Sequence, residues 1–493
     1  MLGIDVRSDR GDVAVDSDPM IGDRVVRRLP ATEELPQLLH ESIALHLDRW
    51  TGADALEVPG HAIGEHCLRQ LVEVPRVGNR RVPCEQLDEF LTVGQTGHAR
   101  SVTGSGRILF VRNSRDASVL ANAIEAHHPD PFQAVSRTIL RREAARIDAL
   151  GLHDRSLLLV ELMRMLALLG PRNGHSVIFP IDDHPAGRRA YPLRLSEFED
   201  GIFVVGSVRH DLVGAELVGI GGSDVGDILP AVTPLVAHDN EWTIRARRPA
   251  FLVDGSVLRG LGVIDNVGRT NFRLRAPDGS TVHAEFDAIA VGEYLAQAAN
   301  SGWSRQPQPA YLRRRKEWNW VERISEERAV HIGYNVTLGD IAGFAQEVAA
   351  FAAEPETRLV VLDLRLNGGG DNRTYGPVLE TLKRLSTAKP IAVLISRETC
   401  SAAMQLVIDL EQQTSAVFVG EPTGGSPNHF GDATLFQLPN SGLHAHVATI
   451  AWRTAGPDDK RLTLAPDILV AHESGPFFSG EDPTLMTALA DVS

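Results

Sequence analysis

The sequence predicts an α/β fold whose main sheet is largely parallel and covered by helices. Three apolar runs of strand length carry this prediction: Arg358–Leu364, Pro390–Ile395 and Ala416–Val419. Continuous apolar runs are typical of strands that are buried on both faces. Helical patterns follow the first two runs, at Thr374–Leu385 and Ser401–Gln412. This alternation is typical of βαβ units.

Further elements flank these units. Val330–Tyr334 is predicted to be the first strand of the sheet, and Leu338–Ala353 the helix that follows it. The β-like runs Thr434–Leu438 and His444–Ile450 surround a Pro-Asn-Ser-Gly sequence, which indicates a hairpin attached to the core.

The chain before this core divides into a helical and a β-rich part. Arg155–Gly170 is nearly all apolar and ends in Gly-Pro, which predicts a helix buried on most of its surface. Short β-like runs follow at Gly201–Val208, Ala215–Ile220 and Phe272–Leu274. Gly214–Val232 reads as strand, glycine turn and short helix. It resembles the ligand-carrying half of a PDZ-like module, although a hairpin with a surface helix is an equal alternative.

At about 150 residues per domain, a chain of 493 residues predicts about three domains. We place the helical segment at 116–200, the β-rich module at 201–320 and the β/α core at 321–493. Residues 1–115 show helical periodicity near Glu34–Trp50 and are otherwise mixed, so their role stays open.

Composition excludes some classes of function. The net charge is −15, and nucleic-acid binders usually carry a basic field, so we expect no nucleic-acid partner. The longest stretch free of charged side chains, Ala433–Trp452, contains several polar residues, which makes a membrane span improbable.

The N-terminus and the cysteines bear on the compartment. Asp5 and Arg7 lie where a secretory signal would have an apolar segment. Cys67, Cys84 and Cys400 form neither a disulfide framework nor a Cys-x-x-Cys pair. We therefore expect a cytoplasmic protein, or an exported one if the true N-terminus differs. We also expect no metal and no cofactor.

Three motifs in the core are candidates for chemistry. The first, Asp363–Gly370, ends a buried strand in three consecutive glycines, whose exposed N–H groups can bind an oxyanion. A phosphate loop is excluded by the missing Gly-Lys-Ser/Thr ending, while a plain tight turn stays an alternative. The third, Gly420–Asn428, is rich in Gly and Pro and marks a shaped loop.

The second motif, Thr399–Met404, reads Thr-Cys-Ser-Ala-Ala-Met and opens a predicted helix. A serine at such a helix start lies at the positive end of the helix dipole, with small neighbours that leave room for a substrate. The alternative is that Ser401 or Thr399 is simply a helix N-cap.

The ordered set Asp-Leu-Arg-x-Asn-Gly-Gly-Gly, Thr-x-Ser-Ala-Ala, Gly-Glu-Pro-Thr-Gly-Gly and the late pair Pro466-Asp467 resembles the C-terminal-processing and tricorn-type serine peptidase family. That family also includes interphotoreceptor retinoid-binding protein. The resemblance covers about 321–488. It implies a Clp-protease/crotonase-like β/α core preceded by helical and PDZ-like parts.

The resemblance also implies roles for individual residues. The family's nucleophilic serine falls on Ser401. Its oxyanion-hole donors would be the backbone N–H groups of Gly368 or Gly369 and of Ala402. Gly-His-Ser, with His175 at its centre, resembles the family's Gly-His-Thr segment, whose histidine is the general base in tricorn-like members.

One departure decides between the family's mechanisms. Processing-type members use a lysine base in the glycine-rich loop, and Ser426 holds that place here. A serine hydroxyl cannot be a general base near neutral pH, so a serine–histidine–acid arrangement is expected instead of a serine–lysine dyad. By position, we expect the acid at Asp459, with Asp458 as the reserve; a solvated acidic turn is the alternative for both.

Two other histidines compete with His175 as the base. His331 lies on the predicted first strand of the core, and His429 lies beside the glycine-rich loop. The sequence therefore predicts a serine hydrolase, most simply a peptidase, that acts on peptide or protein substrates. The alternative is a family member that has lost catalysis and binds a ligand or a peptide, and the missing lysine favours this second reading.

Overall fold

The computed structural model describes residues 115–179, 187–299 and 307–492, all of which belong to one structural unit. The region 1–115 with its periodicity near Glu34–Trp50 lies outside the described residues, apart from residue 115. No helix among the described residues is long and apolar enough to span a bilayer.

The helical segment contains three helices, and the apolar helix predicted from the sequence is the third. The helices are α1 (Asp116–His127), α2 (Arg137–Ala149) and α3 (Arg155–Ala167). Asp154 caps α3 by accepting a hydrogen bond of 2.9 Å from Ser156 N–H. The helix ends three residues before Gly170, whose φ of +75° suits a glycine at a helix end. Its leucines form a core with α1 and α2.

The middle of the chain is rich in β-strands, and the first two of them lie before residue 201, inside the range predicted for the helical segment. Its strands are β1 (Arg189–Ala190), β2 (Leu193–Phe198), β3 (Gly201–Ser207), β4 (Glu216–Ile220), β5 (Ser223–Asp224), β6 (Arg269–Arg275), β7 (Thr281–Asp287) and β8 (Ile289–Ala290). Its helices are α4 (Val225–Val232), α5 (Glu241–Phe251), α6 (Gly255–Gly260) and α7 (Val291–Ala299).

Antiparallel pairing in the order β2-β3-β4-β6-β7 forms the module's main sheet, and β5 folds back on β4. The predicted strand, glycine turn and helix are present as β4, the turn at Gly221 and α4. The PDZ-like assignment itself stays a prediction.

The C-terminal part is the β/α core. Its strands are β9 (Asn319–Ile324), β10 (Ala329–Tyr334), β11 (Leu359–Asp363), β12 (Ile391–Ile395), β13 (Val417–Gly420), β14 (Asn428–Gln437), β15 (His444–Arg453) and β16 (Ile468–Leu469). Its helices are α8 (Ala310–Arg313), α9 (Ile341–Ala353), α10 (Gly376–Ser386), α11 (Ala402–Gln413), α12 (Ser474–Ser479) and α13 (Pro483–Asp491).

The core sheet runs in the order β16-β13-β12-β11-β10-β9. Strands β10 to β13 and β16 are parallel, which confirms the prediction of a largely parallel sheet. Helices α9, α10 and α11 pack on one face through an apolar cluster, and α13 packs on the other face. The edge strand β9 is antiparallel to β10 and was not predicted.

The predicted hairpin is longer than expected and packs against the helical segment. Strands β14 and β15 have ten residues each and form a two-stranded sheet of their own. Asp116 at the start of α1 accepts hydrogen bonds from the N–H groups of Asn440 and Ser441 at the hairpin turn. Val177 and His446 exchange backbone hydrogen bonds of 3.1 and 2.7 Å. These backbone hydrogen bonds therefore hold the loop that carries His175 against the hairpin.

Candidate active site

Ser401 lies at the carboxyl end of the core sheet, between β12 and the first turn of α11. Its φ of 54° and ψ of −129° are rare for a residue with a side chain. Such a backbone conformation costs about 1–3 kcal/mol and is concentrated at functional sites. The Ser401 side chain makes no cap hydrogen bond to α11. Ser401 therefore occupies the N-cap position of α11 without capping the helix through its side chain.

The triple glycine after β11 lies directly beside Ser401. A Cβ added to Gly369, whose φ is +113°, would lie 2.6 Å from Ser401 Cβ and 3.0 Å from Ala402 N. Only a residue without a side chain fits this approach. The glycines therefore bring backbone groups into contact with the nucleophile candidate.

Asn367 and Cys400 set the orientation of the glycine peptides. The Asn367 side chain donates to Tyr334 O at 2.7 Å and accepts from Gly369 N–H at 2.9 Å. The Cys400 thiol donates to Gly368 O at 3.3 Å. Because Asn367 already occupies the Gly369 N–H, this group is a weaker oxyanion donor than the sequence suggested.

Two backbone donors next to Ser401 have no acceptor among the described residues. They are the N–H groups of Gly368 and Ala402. Ala402 is the first residue of α11, where a helix leaves its N–H groups without an intrahelical acceptor. This pair can bind a developing oxyanion, provided that the reacting carbonyl lies between Gly368 and Ala402.

The structure brings His175 to Ser401 across 226 residues of sequence. His175 Nε2 lies 3.2 Å from Ser401 Oγ, within reach for a proton transfer. The His175 side chain is buried. The contact joins the helical segment to the β/α core, so the candidate site is built from two parts of the chain.

Asp239 and Arg247 hold the loop of His175. Asp239 Oδ1 accepts a hydrogen bond of 2.7 Å from Gly174 N–H, and Arg247 donates to Gly174 O at 2.7 Å. The other carboxylate oxygen of Asp239 accepts from Ser426 N–H at 3.2 Å. Sequence reasoning missed both residues. An Asp-Asn pair before a helix signals a cap, but nothing local shows which loop it contacts.

The pKa of His175 is lowered from 6.5 to about 4. Burial is the main cause, because it penalises the charged imidazolium, and the neighbouring His429 and Arg247 act in the same direction. Asp239 and Asp432 oppose the shift. His175 is therefore neutral at pH 7 and can accept a proton.

Ser426, in the place of the family's lysine, has a structural role. Its hydroxyl donates to Leu462 O at 2.6 Å, and Asp239 O lies 3.3 Å from the same hydroxyl oxygen. It is fully buried. The hydroxyl therefore ties the glycine-rich loop to the segment that positions His175.

The remaining candidates lie in different places. Asp459 accepts from the Arg461 guanidinium at 2.7 Å, and no hydrogen bond or ion pair joins it to a described histidine. The direct contact with His175 expected from the sequence is therefore absent. Asp458 has no described hydrogen bond or ion pair to His175 either.

His331 is buried with Asp363, 3.2 Å away, and makes no hydrogen bond to Ser401. His429 stacks on His175, with ring centroids 5.5 Å apart.

A cavity of about 740 Å³ opens between the β-rich module and the β/α core. Leu366, just before the triple glycine, and Arg397, just before the serine turn, line one part of it. Phe203, Phe477 and Phe478 line another part. Ser401, His175, the triple glycine and Ala402 are not among the described residues that line this cavity.

The rate of acylation at Ser401 is expected to stay high at pH 6 and to fall near pH 4. The base must be neutral to accept a proton, and the pKa of His175 is about 4. The pKa of His175 in the folded protein lies below its value in the unfolded chain. The unfolded state therefore binds the proton first, and His175 reduces stability as the pH falls from 6.5 to 4. The rate at which a fluorophosphonate labels Ser401, measured from pH 4 to 8, checks the prediction. A midpoint near 6.5 would contradict it.

Replacing Gly369 by alanine is expected to lower activity at least about 100-fold, because the methyl group would displace Ser401 and Ala402 and one misplaced group can cost this much. Gly376→Ala is the matched control. A Cβ at Gly376 meets nothing within 4 Å, so this variant should retain full activity. Equal activities of the two variants would show that the glycine contact does not matter.

Comparisons with solved structures agree with this architecture. The structure of mature CPAF matches with a TM-score of 0.55 and 14% identity, over 77% of this chain and 96% of that chain. A CPAF variant with one serine replaced by alanine matches with a TM-score of 0.57 and 13% identity, over 78% of this chain and 97% of that chain.

The photosystem II D1 C-terminal processing protease matches over 75% of this chain and 97% of that chain, with 14% identity and a TM-score of 0.35. That score is too low to carry an argument. No protein-family model matches the sequence, and a comparison with curated proteins finds no relative. The CPAF likeness, at a sequence identity this low, establishes the fold and not the activity. The chain has the fold of the C-terminal-processing and tricorn-type peptidases.

Proposed function

We propose that the chain is a serine hydrolase that cleaves peptide bonds. The contact of 3.2 Å between His175 Nε2 and Ser401 Oγ carries the proposal. It joins a neutral, buried base to a hydroxyl on a strained turn, which is the arrangement that activates a serine nucleophile.

In the proposed mechanism, His175 takes the hydroxyl proton as Ser401 Oγ attacks the amide carbonyl. The N–H groups of Gly368 and Ala402 stabilise the negative charge on the carbonyl oxygen, while the Gly369 N–H, the other donor expected from the sequence, is bonded to Asn367. His175 then gives the proton to the leaving amine, which releases one product and leaves an acyl-serine. A water molecule, activated by the same histidine, hydrolyses the ester.

The acid of the triad that the sequence predicts lies at the surface turn before Pro466-Asp467. Asp459 stays the prediction from the sequence, and its ion pair with Arg461 weighs against a direct contact with His175.

The cavity between the β-rich module and the β/α core can hold part of a peptide or protein substrate, and no candidate catalytic residue lines it. Its volume of about 740 Å³ is large enough for several residues of an extended chain. Apolar rings line one part of the cavity and charged side chains line another part. This lining suits a substrate that has both apolar and charged side chains.

The alternative, a binding protein without catalysis, drew its support from the missing lysine. His175 supplies a base without a lysine, and the loop position of that lysine is used for structure by Ser426. These two observations favour the hydrolase.

Proteolysis of an unfolded substrate tests the proposal. The protein is incubated with reduced, alkylated casein, and new N-termini are identified by mass spectrometry. We expect multiple cleavages per enzyme molecule, and none after treatment with diisopropyl fluorophosphate. A cleavage pattern that survives this treatment, or no cleavage at all, would contradict the proposal.

A further inference from the structure

His429 lies against the imidazole ring of the proposed base. The rings of His429 and His175 are nearly parallel, with centroids 5.5 Å apart and an angle of 15° between their planes. Stacking at a centroid distance in this range is a favourable arrangement of two aromatic rings. Asp239 and Arg247 reach the backbone of Gly174, whereas His429 contacts the ring of His175 itself. His429 is therefore placed to act on the orientation of that ring.

The plane of the His175 ring decides whether Nε2 is directed at the nucleophile. The χ2 torsion of a histidine is broad and roughly two-fold, so the side-chain rotamer alone leaves the ring free to turn. The contact of 3.2 Å with Ser401 Oγ uses one nitrogen at the edge of the ring, and a rotation about χ2 moves this nitrogen away. A ring packed against the face of His175 opposes the rotation, because a turned imidazole would collide with it.

The ring of His429 is itself held in one orientation. The residue is only 2% exposed, and its Nδ1 lies 3.1 Å from Ser426 O. Because a carbonyl oxygen only accepts hydrogen bonds, Nδ1 carries the proton and donates it. The Ser426 hydroxyl in turn donates to Leu462 O at 2.6 Å. A hydrogen bond within an anchored loop therefore sets the plane of the His429 ring.

The backbone on both sides of His429 is also anchored. Phe430, the next residue, donates its N–H to Arg172 O at 2.9 Å, and Arg172 lies three residues before His175. The side chain of Asn428, the preceding residue, is buried and donates to two backbone carbonyls. The segments that carry the two histidines are therefore joined directly, which keeps the two rings at a fixed separation.

We propose that His429 is a positioning residue, whose stacked ring holds the plane of the His175 ring so that Nε2 faces Ser401. The inference rests on the proposed function, because it concerns the orientation of the proposed base. It gives a role to a histidine that the sequence offers only as a competing base. The hydrogen bond of His429 goes to Ser426 O, and none joins it to Ser401 among the described residues, so it acts through its ring face.

Two substitutions separate the ring of His429 from its hydrogen bond. His429→Phe keeps an aromatic face against His175 and removes the donor to Ser426 O. His429→Asn removes the ring and keeps an N–H donor near the place of Nδ1. The proposal predicts a large loss for the asparagine variant and a small loss for the phenylalanine variant. A role of the hydrogen bond alone predicts the reverse order.

The rate of fluorophosphonate labelling at Ser401 is the first measurement. His429→Asn should lower it by about 10- to 100-fold, the size of loss that follows when a reacting group is misplaced. His429→Phe should lose less than about tenfold, because most of the stacking contact is kept. His283→Asn makes the same replacement at an exposed position of β7. It is the control and should label at the wild-type rate.

A second measurement does not depend on catalysis. The mobility of the His175 ring is followed by carbon-13 NMR relaxation in protein with labelled histidine, and its signals are assigned by their absence from His175→Ala. The ring should be rigid on the picosecond-to-nanosecond timescale in the wild type and in His429→Phe. Its order parameter should fall in His429→Asn, because no ring then covers the face of His175.

The two measurements separate the possible failures. If the wild type is not labelled at Ser401 but the His175 ring becomes mobile in His429→Asn and not in His429→Phe, the proposed function fails and the inference stands. If Ser401 is labelled and His429→Asn changes neither the rate nor the ring mobility, the inference is overturned and the proposed function stands. Equal losses of labelling in the two variants, or a greater loss in His429→Phe, would also overturn the inference, because the hydrogen bond to Ser426 would then be the contact that matters.

Discussion

The substitution Ser401→Ala is expected to lower kcat/KM for peptide cleavage by about 10⁴- to 10⁶-fold, the range found when a serine nucleophile is removed. The Oγ atom is the only part of the side chain that the proposed mechanism uses, and alanine keeps the Cβ that packs beside Gly369. The fold should therefore survive. Activity measured on a quenched peptide and the thermal unfolding temperature together check this prediction.

Cys400→Ala is the control for the nucleophile, because a thiol is also nucleophilic and Cys400 is the neighbouring residue. The Cys400 side chain is buried and donates its hydrogen bond to Gly368 O. Its removal should cost less than about tenfold in activity, through a looser glycine turn. If Cys400→Ala were inactive and Ser401→Ala active, the nucleophile would be the cysteine.

The substitution His175→Ala is expected to lower activity by at least about 10³-fold, because general base catalysis and the proton return to the leaving group are both lost. His175 is the histidine that lies within hydrogen-bond distance of Ser401 in the described part of the chain. Labelling of Ser401 with a fluorophosphonate should be lost to a similar extent.

His331→Ala separates the base from its competitor. His331 is fully buried and bonded to Asp363, which also binds Arg365. Its loss should destabilise the protein, because a buried carboxylate loses one partner, yet the folded fraction should still label at Ser401. Labelling that persists in His175→Ala and disappears in His331→Ala would show that the base assignment is wrong.

The sequence predicts the core well because the relevant signals are local. A strand buried on both faces must be apolar throughout, so the runs that become β11, β12 and β13 could be located within two residues. The antiparallel edge strand β9 was missed. Its residues, Asn319–Ile324, are mixed in polarity because one edge of the sheet is exposed.

The candidate site was predicted only in part, because only some of its residues belong to a local sequence pattern. Ser401 lies in an ordered set of short motifs, and His175 in a recognisable tripeptide, so each could be named before the structure. Asp239 has no such motif. Its role depends on a hydrogen bond to Gly174, 65 residues away in sequence, and no local pattern encodes such a partner.

The donors of the oxyanion hole show how a side chain changes a prediction. From the sequence, Gly368 and Gly369 were equivalent candidates. The side chain of Asn367 folds back on Gly369 N–H and leaves Gly368 N–H as the donor that faces no described acceptor. A strand end rich in glycine therefore indicates an oxyanion site, while the identity of the donor depends on the neighbouring polar side chain.

Mapping the adduct of a fluorophosphonate probe tests the central claim most directly. The native protein is treated at pH 7, digested, and analysed by tandem mass spectrometry. The account predicts one adduct, on Ser401, which is absent from heat-denatured protein and from His175→Ala. No adduct on Ser401 in the native protein, or an adduct that forms equally in the denatured chain, would contradict it.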